Sequence, residues 1–431
     1  MRVAFFTLFE DLDNINPIVS VVESHISMLT DKEYDITIFV KENFKEHNKK
    51  GFFLHKNIKW QRVINSINGT SFKKYDYSIE DSKIHKTFKQ EVKIVTDDLI
   101  LKLKGFEVCF MYDILTKGEF LVHNTAIREV SSVLKNLKFY YYYFEKSIIE
   151  NRRESFVYPF SNMCKAFDNC FFITPTYERI EDISQLFNVP MGKCSVVFNS
   201  IGYMENMSKE IKVIHKFFNL FESEFLIIYP TFLETYEQCE KICMILGILE
   251  KKYNKSCKVV FVDFEKDTSI LNQDRYKAII KNFSENFGFD LNHILFTSDI
   301  NFNKGLSDEG IIELFSLSNL YINASKTIDD LKYLFYATGG GNILVLNENI
   351  RCFKEFGEGF DFIKLNTNYY KNGTENIVEY ESNEFEYLTN LCNDILKKYD
   401  RENFIKNKRK IYQNYNKAWI YYNQLEPLLK R

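Results

Sequence analysis

Between Tyr229 and Gln238 the chain reads YPTFLETYEQ, with carboxylates at Glu234 and Glu237 and no lysine or arginine. Such a stretch offers the hydroxyl of Thr231 but no charge to draw in an anion, and its acids repel one. Other groups that could bind or react follow short apolar runs. Asn199 ends one run and suits either a ligand or a turn cap; Thr297, Ser298 and Asp299 follow another. That trio suits hydrogen bonding to the edge of a base, and equally a side-chain-capped turn. Lys304 and Lys326 are the nearby cations that could hold phosphate, and solvated surface lysines are the alternative. Glu355 precedes Phe356 and Gly357 in an EFG segment. His123, in HNTAIRE, and Asp113, after an apolar run, have the types needed for acid–base chemistry. A histidine at a helix start serves as often in capping or packing.

These residues need elements to position them. Apolar runs of four to seven residues recur at 3–7, 34–40, 108–111, 139–143, 170–174 and 195–198. A second series falls at 225–229, 258–262, 293–297, 320–323, 342–346 and 360–364. Helix-like patterns lie between them, which predicts two parallel α/β sheets. The segment SNLYINASKTIDDLKYLFYATGGGNILVLNEN shows the unit plainly: strand at Leu320–Asn323, helix over about 328–337, then strand from Ile343. Thr327 and Asp330 at that helix start form a capping-box-like pair. Asp329 and Asp330 then fill the positive end of the helix with the chain's own charge. Gly339, Gly340 and Gly341 lie at the other end, the wrong pole for an anion, and read as a helix stop.

A chain of 431 residues exceeds one ordinary core. The expected division is residues 1–205, with an irregular region at 41–92, then 206–400, then a helical tail at 401–431 packing back on the first domain. A net charge of −3 gives no pull toward nucleic acid. The nine cysteines are odd in number and lack paired CxxC motifs, so neither a disulfide framework nor zinc is expected, and a reducing, cytoplasmic setting is. No run of about 18 apolar residues suggests a membrane span. Phosphate-loop, GxGxxG and HExxH patterns are absent from the sequence.

Taken in order, several segments resemble retaining glycosyltransferases of family 4. CFFITPTYERIEDISQLFNVPMGKCSVVFNSIG is similar to the end of their first domain, with Val189, Pro190, Lys193, Val196, Val197, Asn199 and Ile201 in the signature. FLIIYPTFLETYEQCEKICMILGIL resembles the opening of their second domain, and the run from Asn292 to Asn349 their donor-binding core. The resemblance implies a GT-B fold, two Rossmann-like domains with parallel sheets facing across a cleft. It implies hexosyltransferase-type chemistry on a nucleotide sugar, with no metal or other cofactor. Asn199, Thr231, Thr297, Ser298, Lys304, Lys326, Thr327 and Glu355 become the donor-binding candidates, and His123 and Asp113 the catalytic ones.

The chain departs from the family where the chemistry would be. The family's donor-gripping arginine and lysine correspond to Phe232 and Glu237, and its paired glutamates to Ile328 and Tyr336. Tyr112 stands at the place of a sugar-contacting histidine, and the first loop, residues 9–17, has no glycine. Losing several charged hydrogen bonds, worth about 1.5–3 kcal/mol each, weakens donor binding greatly. The expectation is therefore a non-catalytic or partner-dependent member of the lineage, with an active paralogue or another protein as partner. The alternative is an active retaining transferase with a rewired donor site, acting on a glycan, a protein or a modified DNA base.

Overall fold

The computed structural model describes the chain outside residues 13–16, 31, 50, 68–69, 73–81, 113, 116–119, 144–158, 160–162, 164, 201, 265–269, 327–330, 351–360, 367–369, 373–377 and 381–382. It divides into two compact units, one of Met1–Ile201 with Lys417–Arg431, the other of Gly202–Asn416.

The first unit is built on a seven-stranded sheet. Its strands are β1 (Arg2–Phe6), β2 (Asp35–Lys41), β3 (Ile58–Val63), β6 (Val108–Tyr112), β7 (Lys138–Tyr142), β8 (Cys170–Thr174) and β9 (Cys194–Val196). A two-residue pair, β4 (Ser66–Ile67) and β5 (Thr70–Ser71), lies apart from it. The order is β3-β2-β1-β6-β7-β8-β9, and every neighbouring pair is parallel. Helices α1 (Pro17–Thr30), α2 (Ser82–Leu103), α3 (Leu121–Val133) and α4 (Arg179–Phe187) follow β1, the β4–β5 pair, β6 and β8 in the chain. The region from 41 to 92, expected to be irregular, thus contains an edge strand. β3 reads IKWQRV, with only its two end residues buried, so its apolar signal is weak because one side has no sheet neighbour.

The second unit carries β10 (Phe225–Thr231), β11 (Cys257–Asp263), β12 (Ile294–Phe296), β13 (Leu320–Asn323), β14 (Ile343–Asn347) and β15 (Ile363–Leu365), in the order β12-β11-β10-β13-β14-β15. An antiparallel pair, β16 (Tyr370–Asn372) and β17 (Val378–Tyr380), stands outside that sheet. The helices are α5 (Lys209–Phe218), α6 (Cys239–Tyr253), α7 (Ile270–Phe287), α8 (Asp308–Leu317), α9 (Lys332–Gly339), α10 (Glu384–Arg401) and α11 (Asn403–Asn414). Both sheets share the doubly wound order in which the first strand neighbours the second on one side and the fourth on the other. Two such Rossmann-like units are what a GT-B fold requires of its halves. Sheets of this kind bind ligands outside the carboxyl ends of their strands, where the order reverses. Here the reversals lie between β1 and β6 and between β10 and β13.

Pairing is uneven on the two sides of the second reversal. β10 is buried along all seven residues and registers with β11 from Phe225 to Thr231. Its register with β13 is confined to Ile227 and Leu320. Pro230, near its carboxyl end, has no N–H to give a ladder. The helix after β13 ends as the glycine run predicts. A Cβ at Gly340 would stand 2.3 Å from the Phe315 carbonyl, and Gly341 is left-handed at φ +69°.

The tail from Arg401 divides at Lys417. α11 belongs to the second unit, where Arg409, 1% exposed, donates to the carbonyls of Leu220, Leu317 and Ser223. Lys408 beside it donates to Ser318 and Gly340. The segment from Lys417 packs on the first unit instead. The Tyr140 hydroxyl donates to the Leu428 carbonyl at 2.6 Å, and the Phe198 N–H to the Gln424 side chain at 2.7 Å. The tail's apolar residues are divided in the same way, Tyr412 in the core of the second unit and Leu425 in that of the first.

Candidate functional site

β10 delivers the chain into a tight loop at the carboxyl edge of the second sheet. Leu233 and Gln238 are both left-handed, at φ +56° and +52°, where non-glycine residues carry about 1–2 kcal/mol of strain. Between them Thr235–Glu237 make a single 3-10 turn with a capping box, in which Glu234 and Glu237 satisfy each other's backbone N–H. Glu237 is 8% exposed and holds the loop shut. Its carboxylate accepts from the Phe232 N–H at 3.1 Å, the Glu234 N–H at 3.0 Å and the Thr231 hydroxyl at 2.6 Å. Thr231 in turn accepts from the Leu233 N–H at 2.8 Å. Burial raises the Glu237 pKa, and these hydrogen bonds oppose the rise. A nest of backbone N–H groups of the kind that cradles an anion is thus occupied by the chain's own carboxylate. Glu237 does not project toward a ligand; it turns inward.

The helix that follows offers no substitute cation. α6 is buried from 239 to 249, and Lys241 sits at 0% exposure in an ion pair with Glu384 at 3.0 Å. Glu240 beside it accepts from the Tyr276 hydroxyl. The side-chain amide of Gln238 is buried with no hydrogen-bond partner on either atom.

The end of the neighbouring strand is closed in the same manner. Asp263, the last residue of β11, is 2% exposed. It accepts from the Thr297 hydroxyl at 3.0 Å, the Ser298 N–H at 2.9 Å and the Ser298 hydroxyl at 2.5 Å. Lys277 adds an ion pair at 3.1 Å and also reaches Asp299 at 3.0 Å. Thr297 and Ser298, suited by the sequence equally to a base edge or to a capped turn, hydrogen-bond to this carboxylate. Asp263 itself closes a strand-like run, and that position was its one signal in the sequence.

The remaining expected residues fall in different places. Phe232 is 38% exposed, with its ring 5.4 Å from that of Phe264. Lys304 is exposed and bridges Phe264 through the backbone. Lys326, at the carboxyl end of β13, is exposed and donates its N–H to the Tyr236 carbonyl at 3.0 Å. Burial first, and then Lys241, lowers its pKa. Tyr336 lies half-buried on α9 with its ring edge-on to Tyr333. Asp113, Thr327, Ile328 and Glu355 lie outside the described residues.

In the first unit, Tyr112 points into the core under α1 and shares a hydrogen bond of 2.8 Å with His25 Nδ1. Burial pulls the His25 pKa down to about 3, and its Nε2 has no partner. Asn199 accepts from the Tyr142 hydroxyl at 2.9 Å. His123 is 2% exposed on α3 and makes a 2.9 Å hydrogen bond from Nε2 to the Ile64 carbonyl. Burial drives its pKa to about 4, which suits packing and not exchange of protons with solvent. Among the described residues no group of acids, cysteines and histidines could hold a metal ion, and no helix is long and apolar enough to cross a membrane.

No family model and no curated protein matches the chain. Among solved structures it is similar to Anabaena HepE in complex with UDP and glucose, at 10% identity and a TM-score of 0.36, covering 100% of both chains. Sucrose-phosphate synthase of Thermosynechococcus elongatus is similar at 11% identity and a TM-score of 0.36, covering 100% of this chain and 98% of that one. WaaG, a glycosyltransferase involved in lipopolysaccharide biosynthesis, is similar at 9% and 0.32, over 96% and 95%. Likeness at this level carries no weight for activity or substrate.

Proposed function

We propose that the protein is a glycosyltransferase-like GT-B protein whose donor-diphosphate loop is closed by its own Glu237. It then works without transferring sugar itself, as a binding or supporting partner of an active glycosyltransferase paralogue or another protein. The carrying observation is the inward Glu237 carboxylate, which accepts from two backbone N–H groups and the Thr231 hydroxyl. A diphosphate entering that loop would have to displace a buried carboxylate and then face it. The closure of Asp263 over Thr297 and Ser298 supports the same reading one strand away. The reading needs no metal or other cofactor. The seven described cysteines are all free and buried, which fits a reducing compartment such as the cytoplasm.

Thermal-shift titration of the full chain with UDP, GDP and UDP-glucose tests it. A ligand at 100 times its Kd stabilises by about 2.7 kcal/mol, a clear shift. No shift at millimolar nucleotide is expected. A saturable shift with any of the three overturns the reading and restores the active transferase.

A further inference from the structure

We propose that the amino edge of the second sheet, where α11 and the end of α5 meet, docks reversibly on an anionic lipid bilayer. This edge is opposite the one that Glu237 closes, so the proposal stands apart from that reading. α11 lies along it because Lys408 and Arg409 donate to the carbonyls of Ser318, Gly340, Leu220 and Leu317. Those carbonyls lie at the carboxyl ends of α5, α8 and α9, and the negative poles of helices attract cations. Gln413 Nε2 donates to the Glu222 carbonyl at 3.3 Å, and the Tyr412 ring stacks on that of Phe221, 5.3 Å away. Both contacts hold α11 against the turn that follows α5.

Two properties coincide on these helices. In a chain of net charge −3, α5 carries three lysines and one glutamate, and α11 three lysines, an arginine and no acid. Lys209, Lys216 and Lys410 are the outward cations, exposed and in no ion pair among the described residues. Of the acids bordering this edge, Glu222 pairs with Lys258 at 2.6 Å and Asp400 with Lys406 at 3.2 Å, while Glu210 turns to the Ser307 hydroxyl at 2.7 Å. Glu402 is balanced in charge by Arg401 before it. The most exposed large apolar side chains described in the second unit also stand here, Phe217 at 67% and Phe404 at 68%. On α5, Lys209, Val213, Lys216 and Phe217 share the outer side, opposite buried Ile211, Ile214 and Phe218. On α11, Phe404, Asn407 and Lys410 lie opposite buried Ile405, Arg409 and Tyr412.

Isolated rings set among lysines suit a bilayer better than a macromolecule. Each ring enters the acyl boundary by itself, while the lysine heads stay among the lipid phosphates. A protein interface needs one continuous apolar centre, and a single-stranded nucleic acid needs rings aligned along a groove. Neither Phe217 nor Phe404 has an aromatic neighbour among the described residues.

Co-sedimentation of the full chain with vesicles tests the proposal. The probes are phosphatidylcholine alone and equal parts phosphatidylcholine and phosphatidylglycerol. The protein should pellet with the anionic vesicles only. Raising salt from about 0.1 M to about 1 M, which shortens the screening length from about 10 Å to about 3 Å, should release it. Lys216→Glu with Lys410→Glu should weaken binding about thirtyfold, and Phe217→Ser with Phe404→Ser about tenfold. All four positions are exposed, and thermal melting confirms that each double variant is folded. No pelleting with anionic vesicles, equal pelleting with neutral ones, or wild-type binding by both folded double variants overturns the proposal. Tighter binding to polyuridylate than to the vesicles overturns it too, in favour of a nucleic-acid face.

Discussion

The carboxyl edges of the two sheets are both sealed by the chain's own side chains, but with different chemistry. In the second unit the seal is charged: Glu237 and Asp263, each nearly buried, gather backbone N–H groups and hydroxyls. In the first it is neutral: Tyr112 meets His25, and Tyr142 meets Asn199. Charged acceptors hold backbone donors about twice as strongly as neutral ones. Neutral histidines avoid the cost of a buried charge only while they stay unprotonated. The two units should therefore respond unequally both to acid and to mutation.

Acid should produce the largest separation. Burial holds the pKa of His25 at about 3 and of His123 at about 4, against about 6.5 unfolded. Above pH 6.5 both states are neutral and these groups contribute a constant stability. Below it the unfolded chain takes protons that the folded first unit refuses, so stability falls as pH drops toward 4. Two such groups give a slope of up to about 3 kcal/mol per pH unit. The second unit has one comparable group, His215, lowered to about 4 mainly by burial. Its Glu237 works in the other direction: with a raised pKa it binds a proton before the unfolded chain does, so acid favours the fold there. Hydrogen exchange at pH 7, 5.5 and 4.5 should show β6 and β7 opening before β10 and β13. Simultaneous opening, or the reverse order, breaks the comparison.

Glu237→Ala comes next. It leaves the Phe232 and Glu234 N–H groups and the Thr231 hydroxyl without their acceptor, inside a loop already strained at Leu233 and Gln238. The expected loss is about 3 kcal/mol in the second unit, with the first unchanged. Glu237→Gln keeps one acceptor oxygen and should cost about 1 kcal/mol. Urea unfolding read by hydrogen exchange in each unit measures both. A loss under about 1 kcal/mol for the alanine variant would mean the loop is not held by its carboxylate.

The sequence carried the fold further than the site, for a physical reason. Parallel strands buried on both faces leave continuous apolar runs, and β10, β11 and β14 each stand out as one. β3 left only a weak strand-like signal because an edge strand needs only part of its surface buried. The resemblance set Glu237 against a family cation and so drew attention to the charge of this loop. It could not show that the side chain turns inward, since that depends on left-handed turns at Leu233 and Gln238, residues without a glycine's signature. Thr297 and Ser298 were legible as polar residues after a strand. Their partner, Asp263, lies 34 residues earlier than Thr297, and only the sheet brings the two together. Tyr112 illustrates the same limit, because its partner His25 is on a helix 87 residues away.

The smallest effect discriminates best between the two kinds of seal. Tyr112→Phe removes one neutral hydrogen bond from buried His25 and should cost about 1 kcal/mol at pH 7. Adding His25→Leu should recover most of that loss. With both partners apolar no buried nitrogen is left unsatisfied, and such paired replacements are close to neutral. The double variant should also lose about half of the first unit's acid slope, leaving His123 alone to refuse protons. No equivalent rescue exists at Glu237. Two of its donors are backbone N–H groups of Phe232 and Glu234, which no side-chain substitution removes. If the Tyr112 and His25 changes add without recovery, the neutral seal is as irreplaceable as the charged one. The difference between the two edges would then lie in packing and not in hydrogen-bond chemistry.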